Sequence, residues 1–252
     1  MFQGLTAGHV IAFIFGSMIG SFANVCIHRL PRRQSLVFPA SHCPSCQEPL
    51  RPWHNIPLLS YLALRGRCAF CGTAISVRYP LVECLGGLLY VFLYHQFGFS
   101  VHSVVLILLA TALLIVSFID LQHKIIPDVI TLPGIVAGVV ASFLITPVGV
   151  VSSILGVVLG GGLFFLVAVI RPGGMGGGDI KLIAMIGAFL GWQAVLMTIF
   201  LGACTGSVAG LALMLLGKKG RKDMVPFGPF LAFGALLTMV WGQDMLLWYL
   251  RI

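Results

Sequence analysis

Carboxylate side chains are scarce in this sequence. Only 7 of its 252 residues are Asp or Glu, and charged residues of both signs make up 9%. A soluble domain carries about 25% charged residues, so the shortage excludes an ordinary soluble protein. Hydrophobic residues reach 59% and the mean hydropathy is +1.05. We therefore expect an integral membrane protein that crosses the bilayer several times.

The sequence also lacks the alternation typical of a β-barrel and the features of a cleaved signal peptide. The apolar stretches are continuous rather than alternating, which disfavours an outer-membrane β-barrel. The apolar segment 10–27 has no basic stretch before it and no small-residue cleavage site after it. It therefore predicts a retained first helix rather than a signal peptide.

A helix of about 20 apolar residues is long enough to cross a bilayer. The apolar segments of close to this length predict an all-α polytopic membrane protein with about eight transmembrane helices. The segments lie near 8–27, 81–97, 101–119, 126–146, 150–170, 180–191, 194–217 and 228–250. The boundary between the sixth and seventh, at Gly191-Trp192, is the least defined. We divide the chain into a first helix (1–27), a polar loop domain (28–80) and a membrane bundle (81–252).

Lys and Arg fall almost entirely in alternate loops. They are Arg29, Arg32, Arg33, Arg51, Arg65, Arg67, Arg78, Lys124, Arg171, Lys181, Lys218, Lys219, Arg221 and Lys222, with only Arg251 on the other side. By the positive-inside rule these loops are cytoplasmic and both termini are periplasmic. The net charge of +8 therefore predicts contact with membrane lipid and no nucleic-acid partner.

The polar loop contains four cysteines in two C-x2-C pairs, Cys43/Cys46 and Cys68/Cys71, with Gly72 after the second pair. Four thiolates at this spacing predict a tetrahedral structural zinc site. Two disulfides are the alternative, but a cytoplasmic loop is reducing. A loop of this size with little apolar content needs metal to fold.

Asp120 and Asp179 are the candidate catalytic residues. Each lies at the predicted cytoplasmic end of an apolar segment, where a charge is costly without a role. Two close carboxyl groups cannot both ionise cheaply, so one can activate water while the other, protonated, polarises a carbonyl. The alternative is two interfacial residues, since Asp179 could simply cap a helix. Asp120, at a helix end, opposes the helix dipole.

The residues around Asp179 are predicted to bind substrate. Gly176, Gly177 and Gly178 let the backbone turn and let an extended peptide approach closely. Lys181 would favour an ionised Asp179 if close, or extend toward lipid headgroups.

Three further polar residues are of interest. Asn24 is expected to hydrogen-bond between helices. Glu83 is expected to form an ion pair with Arg78, with a role in methyl transfer as the alternative. Asp128 is predicted to be a helix-start residue.

Gly176-Gly177-Gly178-Asp179 matches the G-x-G-D signature of intramembrane aspartic proteases. The chain also resembles the type IV prepilin peptidase and N-methyltransferase family (peptidase family A24) in five ordered places. These are 16–25 with 29–31, the paired C-x2-C loop, 78–83, Asp120 with 125–128, and 226–231.

The resemblance implies a bacterial inner-membrane enzyme with Asp120 and Asp179 as catalytic residues. It would cleave the basic leader of type IV prepilins or type II secretion pseudopilins at the cytoplasmic face, and so bind the leader and the hydrophobic segment after it. It also implies that the cysteine-loop domain is associated with N-methylation of the new N-terminus by S-adenosylmethionine.

Two other functions are considered. Intramembrane acids also mark ion or proton paths, so a coupled transporter is the main alternative. Both aspartates lie at one membrane face and no inverted repeat is visible, which favours the peptidase. A noncatalytic zinc-bearing assembly factor is the third possibility.

Overall fold

Helices form at every long apolar segment of the chain. The computed structural model describes residues 6–217 and 225–250, with only the backbone described for 249–250. The helices within this range are α1 (Ala7–Arg29), α2 (Leu59–Ala63), α3 (Arg78–Phe97), α4 (Val101–His123), α5 (Asp128–Leu144), α6 (Val150–Ile170), α7 (Gly177–Leu215) and α8 (Gly228–Leu250). The described residues contain no β-strand, and the predicted all-α membrane class is confirmed.

Five of these helices, α1, α4, α6, α7 and α8, are long and apolar enough to cross a membrane, and α5 is a shorter apolar helix. The count of eight spans therefore stays a prediction. Lys218, Lys219, Arg221, Lys222 and Arg251, which contribute to the predicted orientation, lie outside the described residues.

Helix α7 is interrupted at Gly191. Its 39 residues would measure about 58 Å as one straight helix, almost twice the ~30 Å hydrocarbon core. Gly191 has φ 83° and ψ 176°, which is not helical, so 177–190 and 192–215 are separate helical segments. The interruption lies where the sequence placed the boundary between its sixth and seventh segments.

The chain forms two compact units, Met1–Ser103 and Val104–Ile252. In the first unit, α1 packs against α3 through glycines. A Cβ on Gly16 would lie 2.5 Å from the Gly86 carbonyl oxygen, so the two backbones approach closely because neither residue has a side chain. The Asn24 amide donates to the Tyr79 carbonyl over 3.0 Å, which confirms its predicted hydrogen bond between helices.

The second unit is built around the first segment of α7. All residues from Leu182 to Phe189 are buried, as expected of a helix that is apolar on every side. Its core includes side chains from α4, α5, α6 and α8. The buried Ser153 hydroxyl of α6 donates to the Ala188 carbonyl over 2.7 Å. The first segment of α7, which contains Asp179, is therefore held by packing on every side.

Candidate active site and metal centre

Asp120 lies on the buried face of α4. Leu109, Leu113 and Val116 are each at most 1% exposed, and Asp120, the next residue at helical spacing, is 5% exposed. The periodicity of the apolar residues therefore directs its carboxylate into the second unit. Asp120 is not an interfacial residue exposed to solvent.

The Asp120 carboxylate is held by the start of α8. Its Oδ2 accepts a hydrogen bond of 2.9 Å from the Gly228 N–H. A Cβ on Gly228 would lie 2.8 Å from the same oxygen, so a larger residue at this position would displace the carboxylate. The positive end of the α8 dipole compensates for the unfavourable position of Asp120 at the end of α4. Sequence reasoning missed the role of Gly228, whose only signal was its place in the 226–231 motif.

Asp179 is the third residue of α7, and its helix is capped by Gly176. The Asp179 N–H donates to the Gly176 carbonyl over 3.1 Å. Its Oδ1 is buried and has no hydrogen-bond partner among the described residues. The carboxyl groups of Asp120 and Asp179 are close enough to interact electrostatically. The structure thus brings the two predicted catalytic residues together.

The three glycines before Asp179 have different surroundings. A Cβ on Gly176 would lie 2.8 Å from Asp179 Oδ2, and a Cβ on Gly178 would lie 2.8 Å from the Cβ of Ile126. A Cβ on Gly177 would meet no atom of the described residues within 4 Å. The positive φ in this segment belongs to Gly173, at 81°. Gly176 and Gly178 therefore permit close packing, while Gly177 borders open space.

Lys181 pairs with Asp128 rather than with Asp179. Its Nζ lies 2.7 Å from both carboxylate oxygens of Asp128, and the two side chains are 38% and 53% exposed. Asp128 is the first residue of α5, which matches its predicted place at a helix start. The pair therefore joins the beginning of α5 to the beginning of α7.

The four loop cysteines of the first unit converge. The Sγ atoms of Cys43, Cys46, Cys68 and Cys71 all lie within 4.8 Å of one another, and none of these residues forms a disulfide. Cys43 Sγ and Cys71 Sγ are 3.8 Å apart. This distance equals the edge of a tetrahedron with Zn–S bonds of 2.3 Å, about 3.8 Å. The cluster could hold zinc.

The two C-x2-C pairs adopt the same backbone fold. Cys43 N–H donates to Glu48 O over 3.0 Å, and Cys68 N–H donates to Thr73 O over 2.8 Å. The residue after each pair is left-handed, with φ 60° at Gln47 and 71° at Gly72. Gly72 adopts this left-handed turn without strain because it has no Cβ, whereas Gln47 adopts it despite its side chain.

The surroundings of Cys43 and Cys71 favour the thiolates that bind metal, whereas burial and the neighbouring thiols of Cys71, Cys43 and Cys68 raise the pKa of Cys46. The Thr73 hydroxyl, 3.3 Å from Cys71 Sγ, and the Thr73 backbone lower the pKa of Cys71 to about 6. The backbone N–H of Cys46 lowers the pKa of Cys43. Zinc binds cysteines as thiolates, and the convergence of the four Sγ atoms within 4.8 Å of one another fits a structural zinc ion.

Glu83 is 8% exposed and connects α3 to the loop. Its Oε2 accepts a hydrogen bond of 2.8 Å from the Leu58 N–H, and the Ser21 hydroxyl of α1 also interacts with its carboxyl group. Leu58 has a left-handed φ of 62°. The carboxyl group therefore fixes a strained turn of the loop against the helices.

Two family models match the chain. The one described as Bacterial Peptidase A24 N-terminal domain covers residues 14–97, and the one described as Type IV leader peptidase family covers residues 107–211. The first lies in the unit with the cysteine cluster, and the second contains both aspartates.

Curated proteins are similar over nearly their whole length. A protein of Pseudomonas aeruginosa named prepilin leader peptidase/N-methyltransferase is 36% identical over 97% of this chain and 96% of its own. Proteins of the same name from Stutzerimonas stutzeri and Burkholderia pseudomallei are 36% and 35% identical, over 95% and 98% of this chain and 93% and 90% of theirs. No solved structure matches the chain.

Proposed function

This chain belongs to the type IV leader peptidase family, and from this membership we propose that it is a prepilin leader peptidase and N-methyltransferase. It cleaves the leader of a prepilin or pseudopilin and methylates the N-terminus that cleavage exposes. The relatives carry both activities in their names over nearly the full chain. The geometry of the two aspartates supports the first activity.

One observation carries the peptidase proposal. Asp120 is buried with one oxygen held by Gly228 N–H, and the nearby Asp179 has a buried oxygen with no hydrogen-bond partner in the part of the chain that the structure describes. Such a pair can hold one proton between two carboxyl groups. The ionised carboxylate takes a proton from water, which attacks the scissile carbonyl carbon, while the protonated carboxyl group donates to the carbonyl oxygen. The leaving amine then takes up a proton and departs.

We place the reaction at the cytoplasmic face of the bacterial inner membrane. This location rests on the alternate distribution of Lys and Arg between loops, with the zinc loop cytoplasmic and both termini periplasmic. The basic leader would reach the aspartates there, and the hydrophobic segment after it would remain in lipid. Gly177, which borders open space, is the proposed point of approach for the substrate backbone.

The transporter prediction is not favoured. The relatives are named as peptidases, and both aspartates lie near helix ends, three residues before the end of α4 and three residues into α7. Transport sites lie near the bilayer midplane. A noncatalytic zinc-bearing assembly factor is not favoured either. Such a protein would need the cysteine cluster but not the two buried aspartates.

Separate Asp120→Asn and Asp179→Asn variants test the peptidase proposal. Each should lower the rate of leader cleavage by at least about 10²–10⁴-fold, because asparagine can neither share nor transfer the proton. The assay is purified protein with a synthetic prepilin, followed by gel mobility or mass spectrometry. Asp244→Asn, at an exposed position of α8, is the matched control and should cleave normally. Wild-type cleavage by Asp179→Asn would refute the mechanism.

A further inference from the structure

The loop between α1 and α3 contains an apolar segment with an exposed face. Residues 56–64, here called the apolar segment, include no charged residue and seven hydrophobic ones. Its side chains Ile56, Leu59 and Leu62 are 45%, 65% and 71% exposed. Large apolar side chains that are exposed together mark a surface that contacts a protein or a membrane. The peptidase mechanism uses none of these residues.

The apolar segment is attached beside the membrane part of α1. The Leu58 N–H donates to Glu83 Oε2 over 2.8 Å, and the Ser21 hydroxyl of α1 interacts with the same carboxyl group. Ser21 lies inside the candidate membrane span Ala7–Arg32. The apolar run of α1 continues for six more residues, to Ile27, which is about 9 Å along a helix. The segment therefore begins at a level where a bilayer surrounds α1.

The backbone of the apolar segment forms hydrogen bonds within itself. The N–H groups of Ser60, Leu62 and Leu64 donate to the carbonyls four residues earlier, over 3.0, 3.0 and 2.9 Å. The Ser60 hydroxyl donates to the Ile56 carbonyl over 2.7 Å. An unpaired polar group is costly in lipid because no water can bond to it. These donors would therefore stay paired if the segment entered apolar surroundings.

The two sides of α2 have different roles. A Cβ on Gly66 would lie 2.9 Å from the Tyr61 hydroxyl oxygen, so the Tyr61 ring packs against the chain that leads to the second cysteine pair. Leu58, three residues earlier, is attached to α3. Residues three apart share one side of a helix. Leu59 and Leu62 are likewise three apart, and both are exposed, so the packed side turns the leucines outward.

Basic and aromatic residues flank the apolar segment. Arg51 precedes it, Arg65 and Arg67 follow it, and all three are exposed. The loop contains one acidic residue, Glu48. Trp53 is 58% exposed, and the Arg51 guanidinium lies 5.7 Å from its ring centre. Tryptophan is enriched at membrane interfaces, and arginine is attracted to anionic headgroups. The flanks therefore complement an anionic lipid surface.

We propose that the apolar segment lies in the membrane interface, with Leu59 and Leu62 against the acyl chains of anionic lipid. The loop that carries the cysteine cluster is then docked on the bilayer rather than projecting from it. Lipid is the occupant because the outer side of α1 is also apolar at this level, where Phe22 is 49% exposed, so the two surfaces continue one another. Interfacial helices bury their apolar side about 5–10 Å into the boundary between headgroups and acyl chains.

Photolabelling from lipid tests the proposal on the wild-type protein. The full-length chain is reconstituted in vesicles of phosphatidylethanolamine and phosphatidylglycerol, with a phosphatidylglycerol analogue that carries a diazirine on the upper half of an acyl chain. The tryptic peptide 34–65, which stays intact because Pro52 follows Arg51, should carry the label within 56–64 and none at 42–48. An unlabelled apolar segment in a sample whose α1 peptide is labelled would overturn the proposal.

A charged variant tests which side of α2 makes the contact. Leu62→Glu should lose the label from the apolar segment, because a carboxylate is costly in lipid and is repelled by anionic headgroups. Gln34→Glu, at an exposed position of the same loop, is the matched control and should keep the label. Metal content equal to that of the wild type shows that each loop is folded. Full labelling of a metal-bound Leu62→Glu protein would contradict the contact.

The hydrophobic segment of a substrate is the other possible occupant, and the same assay distinguishes it from lipid. Label on 56–64 that persists at saturating prepilin supports lipid as the occupant. If prepilin removes the label from 56–64 and leaves the α1 peptide labelled, the exposed leucines bind substrate and the proposal fails. Neither result depends on leader cleavage or methyl transfer, so the proposed function is tested separately.

Discussion

At the scale of single residues, Asp120 and Asp179 have different surroundings. Asp120 Oδ2 is fixed by a backbone N–H at the start of α8, whereas Asp179 has a buried Oδ1 to which no side chain or backbone group of residues 6–217 and 225–250 is hydrogen-bonded. Different environments are what allow two carboxyl groups to take different roles in one reaction. We expect the free oxygen of Asp179 to contact the attacking water or the substrate.

Gly177 and Gly178 should respond differently to the same substitution. Gly178→Ala places a Cβ 2.8 Å from the Cβ of Ile126, so it should lower the melting temperature and the cleavage rate together. The added methyl group of Gly177→Ala has no neighbour within 4 Å among residues 6–217 and 225–250, so this variant should leave the melting temperature unchanged. If the substrate backbone approaches Gly177, that variant should raise KM. Equal loss of stability in both variants would contradict this distinction.

Variants of the Lys181–Asp128 ion pair can show whether Lys181 only stabilises the structure or also binds substrate. Because both side chains are more than a third exposed, the pair should contribute no more than about 1 kcal/mol to stability. If Lys181 acts only through Asp128, Lys181→Ala and Asp128→Ala should reduce the cleavage rate equally. The double variant that exchanges the two charges, Lys181→Asp with Asp128→Lys, should then recover that rate. If Lys181 also binds substrate, as the sequence predicted, Lys181→Ala should raise KM more than Asp128→Ala. Steady-state kinetics with a synthetic prepilin measures the difference.

At the scale of elements, α7 determines where Asp179 lies. Its first segment is buried on all sides, and the break at Gly191 ends it. Ser152 Oγ occupies the space that a Cβ on Gly191 would need. Asp179 therefore lies near one end of a buried helical segment whose other end is set by the break at Gly191.

Gly191→Ala should destabilise the protein. Its φ of 83° is unfavourable for any residue with a Cβ, at a cost of about 1–3 kcal/mol, and the contact with Ser152 adds to this. Gly162→Ala in α6 is the control, since a Cβ there meets nothing within 4 Å and alanine favours a helix. Thermal unfolding in detergent should rank Gly191→Ala well below wild type and Gly162→Ala at or above it. The reverse order would argue against a required break.

The positions of the helices could be predicted from apolar length alone, because a backbone in lipid must satisfy its own hydrogen bonds. Even the boundary near Gly191 was correctly placed. The support of Asp120 by Gly228 could not be predicted, because it joins residues 108 positions apart. The pairing of Lys181 with Asp128 was missed for the same reason, since sequence proximity pointed to Asp179.

At the scale of the whole molecule, the cysteine cluster and the aspartate pair belong to different units. Cys43→Ser should abolish zinc binding, measured by mass spectrometry of the metal, and make the loop between α1 and α3 more sensitive to proteases, because zinc supplies folding energy to such a loop. Leader cleavage should persist, since the aspartates lie in the second unit. Cys204→Ser, at an exposed cysteine of α7, should keep its zinc. Full zinc content in Cys43→Ser would contradict the assignment of the cluster.

The sequence by itself determined the membrane class, the helix positions, the zinc spacing and the two aspartates as candidates. These features are local: they depend on apolar length, on ligand spacing and on the cost of charge in lipid. Only the tertiary structure decided that Gly228 holds the Asp120 carboxylate, which glycines are needed for packing, and that Lys181 is paired with Asp128. Those outcomes depend on contacts between helices that are distant in sequence, and the scarcity of carboxylates gives no information about them.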